Sequence, residues 1–495
     1  MSSLPSLRVL IAASEIYPLA KTGGLADATA GLATELAEIG VEAMLVMPAY
    51  QSALDQAREL IELATLPARA GAGPGRLLKG RMPDQDLIVY LVDQPALYSD
   101  GGGLYVHADG SDRENNPQRF AMLCHAVCAL ALGRLGEPAA DIVHANDWHT
   151  GLVPLLLDQQ RSATGPSSLF TVHNMAFQGL CPLELLPGLD VHAAGNHYHA
   201  LEYFGQASFL KAGLVLADWL TTVSPRYAKE ICTPDFGFGL DGVIAARADR
   251  LSGILNGIDN SVWSPQGNPW LAASYSAEQL AGKAQCKEAL QRELGLELKS
   301  DAPLISFIGR LTWQKMADVV LQALPRLLEA EPDRQFALLG EGDRELELGF
   351  RALAGHFPGR LAIDIGYAEA KAHRLHGGAD ILLHGSRFEP CGLTQMYAMK
   401  FGTIPVVRPV GGLADTVVDV SPETLGDGSA NGFYFDDPGV EGMLGAINRA
   451  ISHYRQPVAW RQLQLAAMAS DFSWRGPAQG YLSLYRLLRQ GRSQP

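Results

Sequence analysis

Two successive series of apolar, strand-length segments, each interleaved with helical patterns, constrain this chain more than any other feature. The first series comprises Leu7–Ala13, Val41–Met47, Leu87–Val92, Asp141–His144, Ser168–Val172 and Leu220–Val223, with helical patterns over Leu25–Ile39, Gln118–Leu135 and Leu201–Leu216. The second comprises Leu304–Ile308, Gln335–Leu339, Leu361–Ile365, Ile381–Leu383 and Ile404–Val407. Its helical patterns cover Gln314–Leu328, Arg344–Ala354, Ala368–His376 and Gln395–Phe401. Unbroken apolar strands are covered on both faces, as in parallel sheets with crossover helices. The expected fold class is α/β, with two doubly wound Rossmann-like domains. The pattern resets near Asn256-Gly257-Ile258-Asp259, and Ser261–Trp270 has the Pro, Gly and Asn content of a linker. We therefore expect domains over 1–252 and 253–470, with helical segments from about Gly439 to Gln490 closing the chain. Gly71–Arg81 is expected to be loop. The polar, Gly-rich Asp93–Asn116 is expected to be a mobile loop beside a site. The pentapeptide Gly23–Asp27 recurs as Gly411–Asp415, which in a chain rich in Gly, Ala and Leu carries little weight as a sign of two similar halves.

A chain of 495 residues has room for two to four domains with ample cores. The net charge of −14 argues against broad contact with nucleic acid or anionic membrane. No apolar run approaches a membrane span, and the N-terminus shows no cleavage signature. Six scattered cysteines form no CxxC pair and no disulfide framework, so the cytoplasm is the expected compartment. If the substrate is a phosphate ester, cations must gather locally against this acidic background. Lys21, Arg310 and Lys315 are the candidates.

The stretch SRFEPCGLTQ, residues 386–395, lies between a strand-like run and a helix-like run. It sets Glu389 at a strand's carboxyl end. The amides of Gly392, Leu393 and Thr394 fall in the first turn of the following helix, where unpaired donors suit a phosphate. Glu389 could equally cap those amides. Cys391, near a helix start, reads best as filler of a small, tight site. Arg310 and Lys315 lie five apart across a strand-to-helix turn and can lean toward one anion, or be two solvated cations. Lys21-Thr22-Gly23-Gly24 is neither a Walker A nor a GxGxxG motif. By itself it reads better as a tight turn than as a phosphate loop. Asn146-Asp147-Trp148-His149 and Thr171-Val172-His173-Asn174 each follow an apolar strand, where imidazole and amide groups can donate to sugar hydroxyls or a developing charge. His144 is also consistent with a satisfied core residue. His192, His197 and His199 read as solvated loop histidines, and Asp84-Gln85-Asp86 lies apart from the other motifs. No metal is expected.

Together these motifs resemble the bacterial glycogen synthases and plant starch synthases, retaining GT-B glucosyltransferases that use ADP-glucose. The resemblance spans nearly the whole chain. It comprises KTGGLAD (21–27), HANDWH (144–149), TVHNMAFQG (171–179), TVSPRYAKEI (222–231), LNGID (255–259), GRLTWQK (309–315), SRFEPCGLTQ (386–395) and GGLADTV (411–417). It implies two Rossmann-like domains facing across a deep cleft, with the nucleotide-sugar donor on the second. A helix over 471–495 would cross back to the first. It implies that Lys21, Gly23 and Gly24 contact the diphosphate and glucose, and that Arg310 and Lys315 neutralise the distal phosphate. Glu389 would orient glucose hydroxyls beside the amides of Cys391, Gly392, Leu393 and Thr394. His173 and Asn256 would hold the transferred glucose, and Tyr367 would stack on adenine. Asp27, Tyr105, Asp147 and Asn174 complete the expected substrate-binding set. The implied partners are ADP-glucose and an α-1,4-glucan, with no cofactor. A UDP-glucose enzyme and an idle glucan-binding protein are the rival readings; a phosphorylase would need a pyridoxal phosphate lysine, and none is evident. The chain departs from the family's pattern at Met316, where Gly is usual, at His384-Gly385, where Met-Pro is usual, and at Pro409-Val410.

Overall fold

The computed structural model describes residues 7–99, 102–107, 111–160 and 165–492. The chain divides into two compact units, one formed by residues 1–257 with 474–495 and the other by 258–473. Among the described residues, no helix is long and apolar enough to cross a membrane.

The first unit is built on nine strands of one sheet. In chain order its strands are β1 (Arg8–Ala12), β2 (Glu42–Pro48), β3 (Arg58–Leu66), β4 (Gly75–Arg81), β5 (Ile88–Asp93), β6 (Ile142–Asn146) and β7 (Ser167–Val172). A small antiparallel sheet of β8 (Leu180–Pro182), β9 (Glu202–Tyr203) and β10 (Gln206–Ser208) follows, before β11 (Trp219–Thr222) and β12 (Leu251–Gly253) rejoin the main sheet. The main order is β12-β11-β7-β6-β1-β2-β5-β4-β3. β1 pairs in parallel with β2 on one side and β6 on the other, from Arg8↔Glu42 and Val9↔Ile142 onward. The chain therefore reverses its winding between β1 and β6, which is where ligands collect in such sheets. The central strands are apolar throughout because both their faces are covered; β1, Arg8-Val9-Leu10-Ile11-Ala12, is buried from Val9 onward.

Two sequence expectations for this unit need correction. Gly71–Arg81 is not all loop, because β4 pairs antiparallel with both β5 and β3. Arg76, Lys79 and Arg81 interrupt its apolar pattern. Its glycines serve close backbone approach: a Cβ on Gly75 would lie 2.7 Å from the Asp93 carbonyl, and one on Gly80 2.8 Å from that of Arg58. Nor is Leu201–Leu216 one helix. The β9–β10 hairpin interrupts it through Phe204 and Gly205, whose φ values of 47° and 82° make a two-residue turn of positive φ. A new helix, Phe209–Leu216, then starts where Ser208 Oγ accepts from the Lys211 amide at 3.1 Å. Part of the expected mobile loop, residues 100–101 and 108–110, lies outside the described residues.

The helix Arg475–Arg492 belongs to this unit. It packs on β6 and β7: Tyr485 Oη lies 2.7 Å from His144 Nδ1, and Ser167 Oγ donates to the Leu488 carbonyl at 3.3 Å. Just before this helix, Trp474 is buried against Gly31 of the helix Gly24–Glu38.

The second unit carries six parallel strands, β13 (Leu304–Ile308), β14 (Gln335–Gly340), β15 (Leu361–Ile365), β16 (Ile381–His384), β17 (Ile404–Val407) and β18 (Phe433–Tyr434). Their order, β15-β14-β13-β16-β17-β18, is that of the dinucleotide-binding fold, with its reversal between β13 and β16. Ser261–Trp270 is more than a tether. Trp263 is buried and stacks between His373 at 4.1 Å and Tyr397 at 3.7 Å.

Gly31→Ala tests the seating of Trp474. The added Cβ would lie 2.1 Å from the indole Nε1, and overpacking of this kind costs about 1–3 kcal/mol. The thermal midpoint is expected to fall by about 2–10 °C; an unchanged midpoint would show that the indole does not occupy this seat.

Candidate functional site

In the second unit the candidate residues cluster at the carboxyl ends of β13 and β16, on either side of the winding reversal. Lys315 follows β13 and Glu389 follows β16, and half-buried Lys315 forms an ion pair with buried Glu389. Glu389 is 6 % exposed. Its Oε2 accepts from the Lys315 ammonium and from Ser386 Oγ at 2.8 Å, and it lies 3.2 Å from His384 Nε2. Burial alone would raise the Glu389 pKa. The Lys315 charge and the His384 contact outweigh it and hold the carboxyl well below its usual range. Among the described residues these contacts all fall on Oε2, and Oε1 has no partner. Arg310 is exposed, with Gln314 Oε1 3.2 Å from its guanidinium.

The turn carrying Lys315 ends at Met316, whose φ of 54° and ψ of 28° open the helix Ala317–Ala330 in the left-handed region. This conformation costs a side chain about 1–2 kcal/mol. The Met316 side chain is fully buried, and burying one contributes about 1.5–3 kcal/mol, so packing offsets the strain. The backbone thus keeps a glycine-like shape without glycine. A Cβ on Gly385 would lie 3.4 Å from both Cβ and Sδ of Met316, so the chain's departures at 316 and 385 pack against each other.

Gly392 has φ of 72°, and Leu393 precedes the short helix Thr394–Lys400. Gln395, fully buried, donates to the Gly392 carbonyl at 2.6 Å and to Thr416 Oγ1 at 3.1 Å. Gln395 also donates to the Cys391 carbonyl at 3.3 Å, so the carbonyls of Cys391 and Gly392 face it, and among the described residues the amides of Gly392, Leu393 and Thr394 have no acceptor. Cys391 is buried beside them, and Tyr367, just past β15, is 55 % exposed. Gly411 and Gly412 close the loop from behind: their Cβ atoms would lie 1.8 Å from the Glu389 carbonyl and 2.0 Å from that of Cys391. The matching Gly23 has far more room, its Cβ meeting Glu15 Oε1 at 3.7 Å. The two pentapeptides are not equivalent, since one follows β1 and the other β17.

In the first unit the candidates follow β1, β6 and β7. Lys21 Nζ bonds Asp27 Oδ1 at 2.9 Å and lies 5.1 Å from the Tyr17 ring centroid. Beneath the Lys21 turn sits Glu15, 2 % exposed, whose Oε2 accepts from the Thr22 hydroxyl at 2.6 Å and from the Thr22 amide. Sequence reading missed Glu15. Its signal is its place three residues beyond β1, at the ligand end of a parallel strand. His384 and Ser386 were likewise not assigned roles, although both bond Glu389.

Asp147 follows β6 with φ of 62° and ψ of 177°, a strained backbone of the kind found at functional sites. It is buried, and burial raises its pKa to about 7 against the opposing amides of Trp148, Asn174 and His173. His173 Nε2 lies 3.0 Å from Asn146 Oδ1, and burial lowers its pKa to about 3, so the ring is neutral. Tyr105 Oη bonds Ser14 Oγ at 2.7 Å, and its ring stacks on His149 at 4.5 Å. Asn174 Oδ1 accepts from the Ala176 amide at 3.0 Å, and Asn256 is buried at the end of the unit. His144 is a core residue, bonded by Tyr485 and by Thr171 at 2.6 Å. His197 pairs with Asp158 at 2.9 Å, and Asp86 with Arg81 at 2.6 Å. Among the described residues, no three His, Cys, Asp or Glu side chains are placed to hold a metal.

The environment of Glu15 has a measurable consequence. Burial lifts its carboxyl from 4.5 to about 7, against the pull of the Thr22 donors. Between these values the folded protein keeps a proton that the unfolded chain has released, so stability falls as pH rises through the window. Glu15→Gln removes this term. Its stability relative to wild type is expected to rise from pH 4.5 to about 7, read from denaturation midpoints across pH; parallel profiles would show that Glu15 does not hold the proton.

Comparison with known proteins agrees with this geometry. Residues 8–246 match the family model described as the starch synthase catalytic domain, and residues 293–463 match glycosyl transferases group 1. A glycogen synthase from Burkholderia thailandensis is 48% identical, covering 98% of this chain and 91% of its own. One from Thioalkalivibrio sulfidiphilus is 44% identical, covering 97% and 99%. The catalytic domain of starch synthase IV from Arabidopsis thaliana, solved with ADP and acarbose, superposes with a TM-score of 0.89 at 30% identity, covering 98% of this chain and 100% of that one. With strand order, switch-point carboxylate and lysine, and full-length similarity in accord, the chain belongs to the glycogen and starch synthase family of GT-B glucosyltransferases and is an enzyme of that kind.

Proposed function

We propose that the chain transfers glucose from ADP-glucose to the non-reducing end of an α-1,4-glucan, with retention of anomeric configuration and release of ADP. The observation that carries this reading is the convergence at one switch point of a fixed carboxylate, a lysine and open helix amides. The carboxylate suits sugar hydroxyls, and the cation and amides suit a diphosphate. On this reading Glu389 Oε1 accepts from the glucose, and Lys315, Arg310 and the amides of residues 391–394 take the charge that grows on the departing ADP. Lys21, with Gly23, Gly24 and Asp27, meets the diphosphate and glucose. His173, Asn174, Asn256, Asp147 and Tyr105 address the sugar, and Tyr367 stacks on the adenine.

The glucosyl–phosphate bond breaks with oxocarbenium character. Glu389 is held by three donors on Oε2, which suits hydroxyl binding rather than nucleophilic attack. We therefore assign a same-face route, in which the leaving phosphate takes the proton of the acceptor 4-hydroxyl. The cations and amides supply the electrostatic stabilisation, so we assign no metal or other cofactor, and we place the reaction in the cytoplasm.

Purified protein with a glycogen primer is expected to release ADP from ADP-glucose, with far less UDP from UDP-glucose in parallel. Release from UDP-glucose alone would overturn the donor assignment, and release from neither would leave a glucan-binding protein. Lys21→Ala and Glu389→Gln are each expected to lower turnover by about 10²–10³; near-normal turnover would remove that residue from the site. Excess EDTA is expected to leave the rate of ADP release unchanged, and a loss restored by a divalent cation would overturn the metal-free assignment.

A further inference from the structure

His384 stands where no role has been given to it. It is the last residue of β16, paired in register with Val407, and is 4 % exposed. Its Nε2 lies 3.2 Å from Glu389 Oε2 and 3.4 Å from Lys315 Nζ, so the imidazole is inserted at the ion pair itself. Were Nε2 unprotonated, its lone pair would face a carboxylate oxygen at that distance, two acceptors opposed in a buried site. An imidazolium would set a second cation against Lys315 and bury an N–H at Nδ1, which has no partner among the described residues. The neutral ring with its proton on Nε2 satisfies the shorter contact, to Glu389 at 3.2 Å, gives up the longer one at 3.4 Å to the Lys315 ammonium, and leaves the Nδ1 lone pair unmatched.

We propose that His384 is a positioning residue, whose Nε2–H bond to Glu389 Oε2 fixes the carboxylate so that Oε1 is presented to the glucose. This rests on the functional reading given above. Glu389 Oε2 thereby receives donors from three directions: Lys315 from the turn after β13, Ser386 from its own loop, and His384 from β16. Rotation of the carboxylate would break all three bonds together. The surroundings hold the ring neutral. Burial and Lys315 both lower its pKa, with Glu389 opposing, and His376 on the helix Glu369–Gly378 is near enough to feel its charge. The block is stiffened from beneath, because Met316, directly after Lys315, packs over Gly385, directly after His384. Lys315 and His384 are thus braced by adjoining residues in contact.

Steady-state kinetics on two variants test the assignment. His384→Met fills the space without a donor, whereas His384→Gln keeps an N–H at similar reach without a titrating ring. His384→Met is expected to lower kcat about tenfold or more, as for loss of a hydrogen bond to a charged group. Its KM for ADP-glucose should stay within about threefold, since the lost bond acts on orientation rather than uniform binding. His384→Gln is expected to recover most of the lost kcat. The opposite ranking, Met above Gln, would overturn the proposal, because a ring that merely fills volume is better replaced by Met. Nitrogen-15 imidazole NMR of the wild-type protein gives a readout independent of whether His384→Met folds. The resonance absent from His384→Gln is expected to show the neutral, Nε2-protonated tautomer at pH 7; the Nδ1 tautomer or an imidazolium would overturn the proposal. If wild-type protein released no ADP from ADP-glucose, the functional reading would fall, while the tautomer would still decide whether the bond exists.

Discussion

The Lys315–Glu389 pair is the interaction on which the second unit's site depends. A buried ion pair is costly to desolvate and repays that cost only when further hydrogen bonds satisfy it. Here Ser386 and His384 join Lys315 on Oε2, so the carboxylate is already oriented before any ligand arrives. The strand order makes this possible. β13 and β16 are neighbours although separated by 72 residues from the end of one to the start of the other (381 − 308 − 1). Their opposite ends are fastened in a similar way. Asp380, preceding β16, pairs with buried Lys287 at 2.7 Å and accepts from the Leu304 amide at 2.9 Å, where β13 begins. The same two strands are thus held at both ends by a lysine and a carboxylate.

The first unit uses the same sheet logic with opposite electrostatics. Glu15 and Asp147 lie beyond β1 and β6, on either side of its winding reversal, but neither is neutralised as Glu389 is by Lys315. Their carboxyls rise to about 7 through burial, while burial keeps His173 and His149 neutral. One unit therefore holds an ionised carboxylate paired with a lysine, whereas the other holds carboxyls raised by burial beside imidazoles that burial keeps neutral.

What the sequence reveals follows from how locally each feature is encoded. β13 and β16 are unbroken apolar runs, so their ends, and with them Lys315 and Glu389, could be located directly. β4 was hidden because three cations and two glycines dilute its pattern, and its identity as a strand comes from partners on both sides. The β9–β10 hairpin was hidden because an apolar helical pattern runs through Phe204 and Gly205, whose left-handed backbone carries no strong signal in an aromatic residue. Glu15 and His384 were missed for another reason. Their importance lies in bonds to Thr22 and Glu389, and only the tertiary structure shows which carboxylate is left bare and which is paired. Met316 was visible as a departure, but that it preserves a glycine-like turn by packing on Gly385 depends on residues 69 positions apart (385 − 316).

The helix that bonds His144 through Tyr485 also sets an order of events during synthesis. Residues 258–473 are contiguous, so that unit can close upon itself as it leaves the ribosome. The first unit emerges earlier yet lacks the segment that covers β6 and β7 until residues 475–492 have followed the second unit, and a nascent chain must keep that sheet face from unwanted association meanwhile. Of these two units, the one begun first is thus completed after the other.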